Sequence, residues 1–166
     1  MIIYTNPNAP SCIREIFTHP SDAIQKSIKE LTGPGRVVLG TICPCGSEVF
    51  TIEVEDGIVY IVCVLCGFRF IIFDPRRHGL RALCNPKLHE DSDIAFEYSC
   101  AKCGNSGARI NVALLYPPNE ELPELSEKLR AKSEDLFIGY SLAVHCSKCG
   151  NLELIYDADC SCPQLK

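Results

Sequence analysis

Apolar and polar side chains alternate most clearly over residues 49–55, the pattern of a strand with one buried face. Asp56-Gly57 follows at once and predicts a two-residue hairpin turn. We therefore expect residues 58–64 to return as the partner strand. Residues 68–73 predict a third strand, which ends at Asp74-Pro75. This part of the chain thus predicts an antiparallel meander.

Two other segments have the apolar spacing of amphipathic helices. In the first, residues 21–31, Ser21 is placed to cap the N-terminus and Gly33 the C-terminus. Its predicted apolar stripe consists of Ile24, Ile28 and Leu31. The second, residues 122–136, has leucines on one side at positions 122, 125, 129 and 136 and charged residues on the other. The second helix is expected to cover a sheet with its leucine side.

The second half of the chain repeats one order of features: strand, cysteine pair, glycine, strand. Its predicted strands are residues 108–116, 138–144 and 152–156. The repetition predicts two related units. We place the first, with the N-terminal helix and a basic connector, in residues 1–90, and the second, with the inserted helix, in residues 91–166. The expected fold class is α+β and sheet-dominated, with two small β units and two amphipathic helices.

Cysteine is the residue type that most changes this picture, because the chain has twelve. Eight of them form four close pairs: Cys43 and Cys45, Cys63 and Cys66, Cys100 and Cys103, Cys146 and Cys149. Glycine follows every pair directly, which indicates a tight turn with positive φ. None of the other four, Cys12, Cys84, Cys160 and Cys162, precedes a glycine. These four are open to a third metal set, a disulfide or plain buried thiols.

Two such pairs supply the four ligands of a closed tetrahedral site, and soft thiolates favour zinc or iron over magnesium or calcium. We expect two Zn²⁺ per chain, one on Cys43, Cys45, Cys63 and Cys66 and one on Cys100, Cys103, Cys146 and Cys149.

The first ten residues lack a basic start and a long apolar run, so we expect a soluble, cytoplasmic protein. A reducing compartment disfavours disulfides, and a bridge within so short a pair would stabilise the fold very little.

The motifs Cys63-Val-Leu-Cys66-Gly67, Cys100-Ala-Lys-Cys103-Gly104 and Cys146-Ser-Lys-Cys149-Gly150 resemble the knuckles of the zinc-ribbon and rubredoxin-like superfamily. Cys43-Pro-Cys45-Gly46 is similar to a ribbon's first knuckle with one residue missing. The resemblance covers about 42–73 and 98–156. It implies metal binding and says little about activity, because zinc ribbons occur in transcription factors, polymerase subunits, ribosomal proteins and enzyme appendages.

Two departures from this pattern bear on the ligands. The short first pair leaves open that Cys12 or Cys84 replaces Cys43 or Cys45. The second unit has a long, helix-containing insertion between its knuckles.

One further residue bears on the choice of metal. Asn105, where the first rubredoxin loop normally has an aromatic residue, favours zinc over iron.

Charge and motifs limit the function classes. The formal net charge is −5, which opposes general binding of nucleic acid. The best candidate patch for a weak contact is the connector, with Arg76, Arg77, Arg81 and Lys87. Residues 57–73 are apolar but too short to span a bilayer, and they include Arg69. No phosphate-binding glycine loop or catalytic metal motif is present in the sequence.

Four cysteines also close the coordination sphere that a catalytic zinc keeps open, so we expect no enzymatic activity. The predicted function is a non-catalytic zinc-binding interaction module, in transcription or another nucleic-acid transaction reached through a protein partner. The alternative is an electron-transfer protein with rubredoxin-like iron at the second site.

Overall fold

The computed structural model describes residues 16–18, 20–33, 35–74, 96–129 and 136–159. Nine strands and two helices lie in these ranges. In chain order they are β1 (Phe17–Thr18), α1 (Asp22–Thr32), β2 (Arg36–Thr41), β3 (Phe50–Glu55), β4 (Ile58–Cys63), β5 (Arg69–Phe73), β6 (Phe96–Glu97), β7 (Ala108–Leu115), α2 (Leu122–Leu129), β8 (Gly139–Cys146) and β9 (Leu152–Asp159). The described part of the chain is therefore sheet-dominated with two helices, and every pairing between its strands is antiparallel.

The predicted meander is confirmed. All six residues of β3 pair with β4 without a break in register, from Phe50 opposite Cys63 to Glu55 opposite Ile58. The turn between them has φ of 52° at Asp56 and 74° at Gly57. Two successive positive φ values are the mark of a type I′ turn, whose twist matches that of the strands it joins.

The first predicted helix is confirmed with both of its caps. The side chain of Ser21 accepts a hydrogen bond from the N–H of Ile24, and Gly33 ends the helix with a φ of 102°. The predicted apolar stripe is only partly correct. Ile28 is fully buried, whereas Leu31 is 44% exposed. The stripe therefore anchors the helix through Ile28, in its middle, and not through Leu31.

The second predicted helix is confirmed over the part that the structure describes. α2 covers Leu122–Leu129, and residues 130–135 lie outside the described residues. Leu136, expected on the same helix, is not helical, and its side chain is buried. Residue 136 thus belongs to the segment that enters β8. Neither described helix has the length and apolar character needed to cross a bilayer.

The strands of the two halves are exchanged. β2 and β6 each lead into a cysteine turn of their own half. Yet β2 pairs with β7 of the second half, and β6 pairs with β3 of the first. The two halves also meet where Phe50, the first residue of β3, pairs with Ala108, the first residue of β7. One sheet therefore contains both predicted units, and the boundary near residue 90 stays a prediction.

The main core lies between the β3–β5 meander and the sheet formed by β2, β7, β8 and β9. The ring of Phe73 on β5 packs against the rings of Tyr140 and Tyr156, with centroids 4.8 and 4.6 Å apart. The Tyr140 hydroxyl donates a 2.7 Å hydrogen bond to the carbonyl oxygen of Ile72. These contacts join strands that are not neighbours in the sheet, so the sheet folds over and encloses its apolar face.

Helix α1 covers the opposite face of the same strands. Ile28 packs there in a small buried cluster with Val38, Ala113 and Ala143. Small side chains on β7 and β8 let the helix approach the sheet closely. A second contact ties the end of the helix down, because Arg36 Nε donates to the carbonyl oxygen of Thr32 at 2.9 Å.

We predict that Ile28→Ala lowers the free energy of unfolding by about 2–5 kcal/mol, because it leaves a cavity between α1 and the sheet. Leu31→Ala is the matched control on the same stripe, and it should change stability by about 0.5 kcal/mol or less. Urea unfolding of the two metal-loaded variants measures both. Equal losses would contradict the placement of the helix.

Candidate metal centres

Each of the four cysteine pairs lies in a turn between consecutive strands. The turns join β2 to β3, β4 to β5, β6 to β7, and β8 to β9. The glycine that follows each pair has a positive φ: 91° at Gly46, 73° at Gly67, 69° at Gly104 and 70° at Gly150. A side chain would have room at Gly46, Gly67 and Gly104, so the backbone conformation is what requires glycine there.

The turns bring the eight cysteines together in the two sets expected from the sequence. One set is Cys43, Cys45, Cys63 and Cys66, and the other is Cys100, Cys103, Cys146 and Cys149. Within each set all four sulfur atoms lie within 4.8 Å of one another. No histidine or carboxylate of the described residues joins either set. Two four-sulfur groups suited to metal ions are therefore present.

Sulfur separations distinguish a metal site from a disulfide. Cys43 Sγ lies 3.5 Å from Cys66 Sγ, and Cys45 Sγ lies 3.5 Å from Cys63 Sγ. The corresponding distances in the second set, Cys100 to Cys149 and Cys103 to Cys146, are both 3.6 Å. A disulfide needs about 2.05 Å, whereas zinc–sulfur bonds of about 2.3 Å place tetrahedral sulfurs about 3.8 Å apart. All eight thiols are free, and the spacing fits a tetrahedral ion.

The short first pair forms a tighter turn than the other three and still contributes both sulfurs. Gly46 N donates to the carbonyl oxygen of Cys43, three residues back. In the longer turns the glycine N–H reaches four residues back, as from Gly67 to Cys63. One missing residue therefore shortens the hydrogen-bonded ring by one residue. The expected alternatives, Cys12 and Cys84, lie outside the described residues.

Backbone N–H groups stabilise one thiolate in each set. Burial by itself would raise the pKa of Cys63, but hydrogen bonds from the N–H groups of Cys66 and Leu65, together with the neighbouring thiols, lower it to about 6. In the second set the N–H of Cys149 makes the largest contribution, and with that of Lys148 it lowers the pKa of Cys146 to about 6 despite burial. Both turns thus favour the charged form that binds metal.

Side-chain amides distinguish the second set, and sequence reasoning did not anticipate this. Asn105 Nδ2 lies 3.8 Å from Cys146 Sγ, and Asn151 Nδ2 lies 4.0 Å from Cys100 Sγ. Each asparagine follows the glycine of its own turn and reaches the first cysteine of the opposite turn. The repeated Cys-Gly-Asn was a signal available in the sequence.

Glu153 holds part of this arrangement in place. It accepts hydrogen bonds from Asn151 Nδ2 at 2.8 Å and from the backbone N–H of Ala101 at 3.2 Å. Burial would raise the pKa of Glu153, but these donors lower it overall. Burial, and then the charge of Glu153, raise the pKa of Tyr98, whose hydroxyl lies 3.4 Å from the carboxylate. A neutral tyrosine beside a charged carboxylate therefore supports the second site.

Of the remaining candidate residues, His145 lies within the part of the chain that the structure describes. His145 adjoins Cys146 but belongs to neither set, and burial, followed by the charge of Arg109, lowers its pKa. The candidate nucleic-acid patch, Arg76, Arg77, Arg81 and Lys87, lies outside the described residues. So do Cys160 and Cys162. The expectations for these residues stay predictions.

Comparison with protein-family models, with curated proteins and with solved structures finds no match to this chain. The resemblance to zinc-ribbon knuckles therefore rests on the four cysteine turns themselves.

We predict that the two sites stabilise one cooperative unit, because β2 and β6 are exchanged between the halves. Cys66→Ser in the first set and Cys149→Ser in the second should each lower the midpoint of a single melting transition. A strong chelator under reducing conditions should abolish that transition, since metal binding and folding are coupled. Calorimetry measures all three. Two independent transitions, or an unchanged midpoint after verified metal loss, would contradict this coupling.

Proposed function

We propose that this protein is a non-catalytic interaction module whose fold is stapled by two zinc ions. The observation that carries the proposal is the pair of closed four-cysteine groups, each with its sulfurs within 4.8 Å of one another. A structural zinc site of this kind contributes about 10–16 kcal/mol in peptide models, which is comparable with the whole stability of a typical domain.

Zinc is proposed over iron on the chemistry around the second set. Four thiolates suit either metal. Asn105, however, stands where an aromatic residue is expected beside a rubredoxin-like iron. Its side-chain amide lies near a cysteine sulfur of the second set. The same substitution in the sequence favoured zinc. The electron-transfer function is therefore the alternative that metal analysis tests.

The absence of catalysis is proposed from the number of ligands. A catalytic zinc normally has three protein ligands and keeps a fourth position for water or substrate. Four cysteines in each group leave no such position. The ions would then act on the fold alone, by holding pairs of turns together.

A protein partner is supported by the tip of the first metal site. Val64 and Leu65, between the cysteines of that turn, are 54% and 72% exposed, and Phe68 beside them is 56% exposed. The corresponding turns of the second site have Ala101-Lys102 and Ser147-Lys148. Exposed apolar side chains grouped in this way are typical of protein interaction surfaces. We therefore assign partner binding to this tip.

Nucleic acid would be reached through that partner. The chain has a net charge of −5. The thiolate ligands add more negative charge than the zinc ions would neutralise, so the metal-loaded protein would be more negative still. A role in transcription or a related process is proposed on this basis. Any direct contact would be weak and sensitive to salt, since it would depend on a few phosphate contacts.

We predict two zinc ions per chain in freshly purified, reduced protein, and a colourless solution. Elemental analysis with a protein assay gives the stoichiometry. Protein without transition metal would contradict the proposal. A red preparation, with visible bands that bleach on reduction, would favour iron and the electron-transfer alternative.

We predict that Leu65→Ser abolishes the main protein interaction while leaving zinc content and melting unchanged, because the side chain is exposed. Lys148→Ser, at the equivalent exposed turn of the second site, is the matched control. Quantitative affinity purification after cross-linking in cells compares both with the wild type. Recovery of the same partners with all three chains would contradict the assignment of partner binding to this tip. In a separate titration, tight direct binding of DNA or RNA at physiological salt would contradict the proposal that nucleic acid is reached through a partner.

A further inference from the structure

The two sulfur sets differ in their access to solvent. In the first, Cys45 and Cys66 are exposed, while in the second their counterparts Cys103 and Cys149 are only half-exposed. Each set also has two buried sulfurs. Solvent-borne reagents thus meet two ligands of the first set directly.

The sets differ as well in what surrounds the sulfurs. Asn105 and Asn151 direct amide N–H groups at buried sulfurs of the second set. The positions that follow the glycines in the first set are Ser47 and Phe68. The Ser47 hydroxyl donates to the carbonyl oxygen of Val49, and Phe68 has no polar side-chain atom. Within the described residues, no side-chain N–H approaches a sulfur of the first set.

The asparagines of the second set are held by their own partners. Asn105 Nδ2 lies 2.6 Å from the carbonyl oxygen of Gly107 and 3.1 Å from Ser147 Oγ. Asn151 is held by Glu153. The donors therefore stay beside the two buried sulfurs and draw charge from them. A thiolate with less charge is a weaker nucleophile, so these buried sulfurs are slower to attack an oxidised neighbour and form the disulfide that releases the metal.

We infer that the first set is a redox-modification site, at which a hydroperoxide such as hydrogen peroxide oxidises the thiolates and releases the metal, while the second set resists. This rests on the proposed zinc sites. The exposed thiolate of Cys66 or Cys45 attacks a peroxide oxygen, the O–O bond breaks, and hydroxide leaves. The product on the protein is a sulfenic acid.

A buried thiolate then completes the reaction. Cys43 Sγ lies 3.5 Å from Cys66 Sγ, and Cys63 Sγ lies 3.5 Å from Cys45 Sγ. It attacks the sulfenic sulfur, a disulfide forms, and a second hydroxide leaves. Two thiolates lose two electrons, and one peroxide is reduced to two hydroxide ions. Zinc loses two of its four ligands and dissociates. The expected bridges therefore join the two turns, Cys43 to Cys66 or Cys45 to Cys63.

The experiment uses the full chain, after elemental analysis has confirmed two bound zinc ions. Hydrogen peroxide is added, zinc release is followed with a chromogenic chelator, and disulfides are mapped by mass spectrometry. One zinc equivalent should leave at least about ten-fold faster than the other, roughly the effect of one hydrogen bond to a charged group. The bridges formed in the fast phase should lie in the first set.

A double variant tests the cause of the difference. Asn105→Ala with Asn151→Ala should speed the slow phase and leave the fast phase unchanged. Asn119→Ala, an exposed asparagine far from both sets in sequence, is the control and should change neither. Asn151→Leu removes one donor with little change in shape and without adding a charge beside Glu153, and it keeps the test valid where the double variant folds poorly.

Three results would overturn the inference while leaving the zinc proposal intact. These are equal release of both ions, fast-phase bridges in the second set, and an unchanged slow phase in both asparagine variants that melt like the wild type. Failure to find zinc at the outset would instead overturn the proposed function.

Discussion

The pairing of β7 with strands of both halves is the constraint on which this structure depends. Along one edge β7 pairs with β2 and, at Ala108, with β3, and along the other edge it pairs with β8 over its whole length. β7 begins just after the turn that contains Cys103, and β2 ends just before the turn that contains Cys43. Backbone hydrogen bonds therefore connect the two sulfur sets rigidly. Loss of β2 would therefore expose an edge of β7, and loss of β6 would expose an edge of β3.

The arrangement of the sulfurs explains why each set is suited to a metal ion. Each set places four sulfurs close together and buries two of them. Four thiolates at such distances repel one another unless a cation lies between them. The thiols also differ in acidity: burial raises the pKa of Cys43, whereas at Cys63 backbone N–H groups outweigh burial and lower the pKa. A bound divalent ion removes the conflict, and its binding free energy becomes folding free energy.

The two sites share a plan and differ in their surroundings. In each site, one cysteine turn joins two strands that pair with each other, and the other turn joins two strands that do not. In the first site the paired strands are β4 and β5, and the unpaired strands are β2 and β3. The first site presents apolar side chains and two exposed sulfurs to solvent. The second is enclosed by Asn105, Asn151 and Glu153. One plan thus gives one set of sulfurs that faces outward and a second set that is more enclosed.

Local features were predictable from the sequence because their causes are local. The Asp56-Gly57 turn, the Ser21 cap and the glycine after each cysteine pair depend on a few neighbouring residues. The same holds for the division of the eight cysteines into two sets, because each set consists of two cysteine pairs that follow each other along the chain. The asparagine donors were missed because their role appears only when one turn faces the other.

The sequence by itself therefore determined the cysteine turns, the meander and the ends of the first helix. Tertiary structure alone decided which strands pair across the halves, because backbone N–H and C=O groups are the same in every strand and carry no label for a partner. It also decided that Leu31 is exposed and that Leu136 is buried outside the helix. Those outcomes depend on where the folded sheet leaves room, which no single segment specifies.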